Sequence, residues 1–207
     1  MSKQFIDQIS PPGGWKSPGA MRLGPLSDSE SNICHRTFSA LVVRIGQVNA
    51  ANLFLMMMRN FRLFVAWLGF ARKLMPYGEI PRRDTELVIL RVAWNCRCRY
   101  EWGQHVDIGL RAGVSVEDIV RVHKGADAPG WEPRLRALMR ACDEFHHQRM
   151  VTDQTWAELE DHYDTPRLLE VLMLIGQYEG LAGVLNSTGL PLDMDLEKIL
   201  ASAPIHD

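Results

Sequence analysis

Cys98, Glu101 and His105 stand at i, i+3 and i+7, a spacing that on one helix places a thiol, a carboxylate and an imidazole within an arc of roughly 60°. Such a trio can move protons. An imidazole titrates near neutrality, a carboxylate orients or polarises it, and a thiol beside a cationic imidazole or a helix N-terminus can ionise. Glu86, twelve residues before Cys98, falls on the opposite flank of one straight helix and reaches the same pocket only if the chain bends at Asn95-Cys96. The same spacing also suits a plain structural role, with Cys98 as a small buried hydrophobe and Glu101 and His105 as an i,i+4 surface pair. Tyr100 and Trp102 then serve as core aromatics, and Arg97 and Arg99 as solvated charges.

The elements that must position these groups read as helices. After Pro76, Gly78 and Pro81, a helical stretch from about Arg82 to Ala112 carries Leu87, Leu90, Val92 and Trp94 as its apolar set, and Gly113 suits a C-terminal cap. Ser115 suits an N-cap for the next helix, with Glu117 and Asp118 at the positive end of its dipole. Residues 125–130 read as a loop. Helices are also expected over 40–45, 50–74, 133–148, 153–162 and 166–186, the last with Thr165 as N-cap and Pro166 at its first position. No stretch alternates as a strand or carries a hairpin signature, so the expected fold is all-α: an irregular N-terminal arm over 1–30 and one helical domain over 31–200. Phe5, Ile6 and Trp15 of the arm could dock on the body, and a solvated arm is equally compatible with its composition.

The 207 residues are 46% apolar and 23% charged, with net charge −2, which describes a globular chain rather than a disordered or fibrous one. Near neutrality gives no electrostatic reason to expect nucleic acid or an anionic membrane as partner. The apolar run Leu53 to Met58 stops at Arg59, far short of the roughly 20 residues that span a bilayer. A soluble, cytoplasmic protein is expected. In a reducing compartment the four cysteines, Cys34, Cys96, Cys98 and Cys142, do not imply disulfides.

The segment resembles the carboxymuconolactone decarboxylase family, which includes the alkylhydroperoxidase D type. The likeness rests on Arg83-x-x-Glu86-Leu87, on Cys98-x-x-Glu101-x-x-x-His105, and on Ala112-Gly113-Val114-Ser115-x-Glu117-Asp118-Ile119. It extends loosely to Thr152-Asp153-x-x-Trp156 and Tyr178. In the peroxidase branch the motif is Cys-x-x-Cys-x-x-x-His with a glutamate twelve residues before the first cysteine, so Glu101 stands where the second cysteine belongs. Thiol peroxidation needs a resolving thiol. Cys96 is the nearby candidate, but within a helix residues two apart diverge by about 160°, too far for a disulfide. The resemblance therefore implies the decarboxylase-like branch, without cofactor or metal. His105 would be the general acid/base, Glu101 and Glu86 would relay or tune its proton, and Tyr100 or Arg91 would bind an anionic small-molecule substrate. Trp94, Trp102 and the Met56-Met57-Met58 run would form an apolar wall. It also implies a homo-oligomer, a trimer or hexamer, with residues 53–70 suited to the subunit contact.

Three other readings stay open: a peroxidase using Cys98, a non-catalytic small-molecule-binding oligomer, and a metal site built on the Glu144-x-x-His147 spacing. Signatures for zinc, dinucleotide or nucleotide phosphate are missing from the sequence.

Overall fold

The computed structural model describes residues 9–46, 51–193 and 196, and among them the regular structure is helical, with no strand. Helices α1 (Ile33–Gly46), α2 (Ala51–Met57) and α3 (Phe61–Leu74) form one group, with a 3-10 turn at Met58–Asn60 between the last two. They are followed by α4 (Arg82–Asn95), α5 (Arg99–Arg111), α6 (Val116–Lys124), α7 (Pro133–Gln148), α8 (Asp153–Glu160) and α9 (Thr165–Thr188).

Helix α4 is the axis of the fold, packed by α5, α6, α7 and α9. Leu87, Val88, Ile89 and Leu90 are successive residues with no accessible surface, so at mid-length α4 is enclosed around its whole circumference. Helix α9 is also central: Val171, Leu174, Ile175 and Ala182 are fully buried. The most apolar 18-residue window within its 24 residues has a mean hydropathy of 1.5, and that within Ala51–Leu74 one of 1.3. Both are longer apolar helical stretches than the uninterrupted sequence runs predict, because scattered polar residues break the runs without breaking the helix.

The largest departure from expectation lies at residues 96–98, where the single predicted helix over 82–112 is two. Cys96 caps α4, Arg97 takes a left-handed φ of 55°, and Cys98 is extended as the N-cap of α5. The Cys98 N–H donates to the Ala93 carbonyl (2.8 Å) and the Arg97 N–H to that of Trp94 (3.0 Å). This is the paired closure of a Schellman motif. The α5 terminus repeats it, with Val114 N–H bonded to Gly109, Gly113 N–H to Leu110, and Gly113 at φ 88°. Only the second motif has the glycine that announces it.

A left-handed conformation costs a non-glycine residue roughly 1–2 kcal/mol, and the N-terminal arm offsets that cost at Arg97. The Arg97 guanidinium donates to the carbonyls of Gly14 (2.6 Å) and Gly13, and the Lys16 N–H donates to the Arg97 carbonyl (2.9 Å). Trp15 packs against Trp94 and Trp102 at ring separations of 5.9 and 5.8 Å. The N–H groups of Arg22 and Leu23 then bond the Thr188 carbonyl at the end of α9. Residues 9–32 are irregular, and they are docked on the body. Phe5 and Ile6 lie outside the described residues.

Elsewhere the boundaries follow the local chemistry. Ser115 and Asp118 form a capping box at α6. Helix α9 starts one residue earlier than its Pro166 suggests, with the Asp164 carboxylate accepting from the Arg167 N–H.

Candidate active site

The α4–α5 turn folds Glu86 of α4 onto α5. The His105 Nδ1 lies 2.7 Å from Glu86 Oε2, and an Arg82 guanidinium nitrogen is 2.8 Å from Oε1. Glu86 is completely buried and His105 nearly so. The carboxylate fixes the orientation of the ring and takes up Nδ1, leaving Nε2 as the nitrogen that exchanges protons. Tyr178 of α9 meets the imidazole edge-on, with ring centroids 5.2 Å apart. Glu86, Glu101 and His105 are thus gathered by the bend at residues 96–98.

Glu101, in the first turn of α5, is 2% exposed, and neither carboxyl oxygen has a hydrogen-bond partner. A carboxylate stripped of water without compensation is costly, so the group holds its proton instead. Burial pushes the Glu101 carboxyl well above the ordinary carboxylate range. In its protonated form, which burial favours, it can donate a proton where an ionised glutamate could only accept one.

Cys98 is 1% exposed. Burial and the nearby Glu101 push its thiol well up, against the backbone N–H groups of Tyr100 and Glu101, which favour the thiolate. Burial wins. As the N-cap it also lies outside the regular helix, so the shared helical arc holds for Glu101 and His105 alone. Cys96 is half-buried, with its thiol 3.8 Å from His146 Nδ1 and pushed up to about 11 by burial first and Glu101 second. Neither cysteine of this pair sits within a helix, so the helical divergence that would keep them apart does not apply. Both are free thiols, as is the fully buried Cys142; the Cys34 side chain lies outside what is described.

Glu101 and His105 open onto a cavity of about 340 Å³ bounded by α1, α2, α3, α5 and α9, within the size range of small-ligand sites. Its wall is mainly apolar, with Phe38, Phe54, Trp67, Leu68 and Leu181 among its members. Polar groups are few, among them Glu101, His105, Tyr100, Tyr178 and Gln104, with the exposed Arg72 and Tyr77 at the outer rim. Cys98 and Glu86 do not line it.

Several residues expected at a substrate site are used elsewhere. Arg91 donates to Asp143 (2.6 Å) and to the Val122 carbonyl (2.7 Å), tying α4 to α7 and to the end of α6. Trp94 and Trp102 pack on each other (5.3 Å) and on Trp15, forming the seat of the arm. Met56 and Met58 are core residues away from the cavity. Tyr100 does reach the cavity, but its hydroxyl donates to Asp193 (2.9 Å) and accepts from the Leu53 N–H (3.2 Å). The Glu144 carboxylate accepts from Thr152 and Thr155 at the start of α8, which removes it from any pairing with His147. Arg72 was not signalled by the motif. It lies on the exposed side of α3 and has no ion-pair partner among the described residues.

Residues 62–144 match the carboxymuconolactone decarboxylase (CMD) family. In fold the chain is similar to an uncharacterized peroxidase-related protein with an alkylhydroperoxidase AhpD core from Ralstonia eutropha JMP134 (14% identity, 90% of this chain and 100% of that one covered, TM-score 0.73). A second uncharacterized peroxidase-related protein, from Silicibacter sp. TM1040, gives 11% identity, coverage of 88% and 96%, and TM-score 0.74. The debrominase Bmp8, as a cysteine-to-alanine variant in complex with 2,3,4-tribromopyrrole, gives 15% identity, coverage of 87% and 96%, and TM-score 0.67. At these identities the likeness is one of fold. No curated protein matches the chain.

Proposed function

We propose that the chain, whose residues 62–144 match the carboxymuconolactone decarboxylase family and whose fold is similar to that of AhpD-like proteins, is a small-molecule enzyme whose cavity performs acid–base chemistry through Glu101 and His105. Decarboxylation of a small unsaturated or lactone acid is the reaction the side chains fit best. The observation that carries this reading is the buried, unpartnered Glu101 carboxyl on the wall of an apolar cavity that Cys98 does not reach.

The substrate carboxylate enters past Arg72, the cation at the rim. Inside, an apolar wall disfavours the carboxylate relative to neutral CO₂. The carbon–carboxylate bond breaks, its electron pair delocalises into the adjacent unsaturated system, and the Glu101 carboxyl delivers its proton to the carbon left behind. Glu101 is then an ion in a dry site and recovers a proton from His105, one helical turn on, which Glu86 holds in place. The proton returns to His105 from solvent, so the net reaction is substrate carboxylate plus one proton to product plus CO₂.

The test is release of labelled CO₂ from a panel of small carboxylated lactones and unsaturated oxo acids. Glu101→Gln and His105→Ala each lose roughly 10²- to 10⁴-fold in turnover, the usual worth of a positioned proton donor, while Cys98→Ser retains activity. Full turnover in both former variants would overturn the assignment.

A thiol reading has one observation in its favour: Cys98 is the N-cap of α5, where the backbone N–H groups of Tyr100 and Glu101 favour the thiolate. The complex of a debrominase cysteine variant with a bromopyrrole gives the same reading a chemical setting. Under it, Cys98→Ser abolishes activity and iodoacetamide labels Cys98 rapidly at neutral pH.

A further inference from the structure

Behind the α4–α5 turn, three elements bring a thiol, an imidazole and a carboxylate together. Cys96 comes from the end of α4, His146 from the last turn of α7 and Glu179 from α9, and one donor atom of each lies within 4.8 Å of the other two. We propose that Cys96, His146 and Glu179 bind one zinc-class divalent ion that clips α7 and α9 to the α4–α5 turn.

The distances are close to what coordination requires. Donors held tetrahedrally at zinc's usual bond lengths stand about 3.3–3.6 Å apart. The Cys96 sulfur is 3.8 Å from His146 Nδ1, and the Glu179 Oε1 is 2.7 Å from the same nitrogen. The third separation, sulfur to Oε1, is within 4.8 Å, so modest side-chain adjustments seat the ion. The shared nitrogen separates this cluster from a hydrolytic triad, in which nucleophile and carboxylate occupy opposite ring nitrogens. Here the thiol and the carboxylate both lie beside Nδ1, so the three donor atoms cluster on one side of the ring.

The surroundings support the ligands. Arg149 binds the second oxygen of Glu179, leaving Oε1 for the ion. Asn186 donates to the Cys96 carbonyl at 2.9 Å and fixes that residue's backbone. Such contacts orient coordinating groups. The nearby Lys16 and Arg149 cations oppose a divalent ion, and the thiolate and carboxylate offset its two charges. On binding, the Cys96 thiol releases its proton to solvent. Three protein ligands leave the fourth position to water, and the mixed sulfur, nitrogen and oxygen set favours zinc or cobalt over magnesium or calcium. None of these residues lines the cavity, so the ion is independent of the acid–base reading.

The full chain, stripped by chelator and kept reduced with a non-coordinating phosphine, is titrated with cobalt(II) and then zinc. One cobalt per chain is expected, with a near-ultraviolet thiolate-to-metal absorption that zinc abolishes by displacement. Cys96→Ser removes the band, Cys98→Ser and Cys142→Ala keep it, and His146→Ala and Glu179→Gln weaken zinc binding beyond the roughly 10- to 100-fold typical of losing a supporting group. Absence of the band in the wild-type chain, or its persistence in Cys96→Ser, overturns the proposal. The wild-type titration decides the matter even if a variant fails to fold.

Discussion

Replacing Glu101 by methionine removes the acid from the cavity wall while keeping a side chain of similar length. An uncompensated buried polar group costs roughly 1–3 kcal/mol, and Glu101 leaves both oxygens unpartnered at 2% exposure. The variant is therefore more stable than the wild type by about that amount where the carboxyl is neutral in both folded and unfolded chains. The difference depends on pH with a definite sign. The folded carboxyl titrates well above its ordinary value of 4.5, so above that pH the unfolded chain loses a proton that the folded chain keeps. Wild-type stability then falls by about 1.4 kcal/mol per pH unit until the folded group ionises. Glu101→Met lacks this loss, and its advantage widens as pH rises from 5 toward 7. Urea denaturation of both proteins at pH 5, 6 and 7 measures it. A variant less stable than wild type, or an advantage that does not change with pH, would refute the account of Glu101 as a protonated acid, while loss of catalysis in the stabilised variant is the expected trade of function against stability.

Arg91→Ala should cost about 3 kcal/mol, the scale of a mostly buried ion pair broken on one side, because Asp143 and the Val122 carbonyl lose their donor; urea unfolding measures it, and a cost below about 1 kcal/mol contradicts the structural role. Arg97→Ala releases the arm from the α4–α5 turn, so trypsin should cut after Lys16 and Arg22 faster than in wild type, and an unchanged cleavage rate would contradict the docking described. Cys98, buried and with its thiol pushed up, should react slowly with iodoacetamide at pH 7, and rapid labelling would favour thiol chemistry instead. Leu41, Phe61, Leu63 and Val65 are 47–53% exposed on α1 and α3, and a homo-oligomer covering them should give a light-scattering mass that is a multiple of 23.5 kDa; a monomeric mass counts against it.

Helix content was readable because apolar residues recur at three- and four-residue intervals, and the ends of α5 and α6 were readable because Gly113 and Ser115 carry local signals. The turn that assembles the site was not. Arg97 adopts a glycine-like conformation that no local rule predicts for arginine, and it is held there by carbonyls from residues 13 and 14. Such long-range support leaves no trace in a sequence window. Glu86, Glu101 and His105 could be named because their types carry chemistry. Their separation from Cys98, Trp94, Trp102 and Arg91 could not be read, since a thiol, an indole or a guanidinium serves a core or a cavity equally well. Arg72 was hidden for the opposite reason: an arginine near a helix end reads as a solvated charge.

The protonation state of Glu101 at neutral pH tests the central claim most directly. An infrared difference spectrum of wild type minus Glu101→Gln at pH 7 should show the carbonyl stretch of a protonated carboxylic acid in a dry environment, lost in the variant. A spectrum showing only the paired stretches of an ionised carboxylate would contradict the assignment of Glu101 as the proton donor.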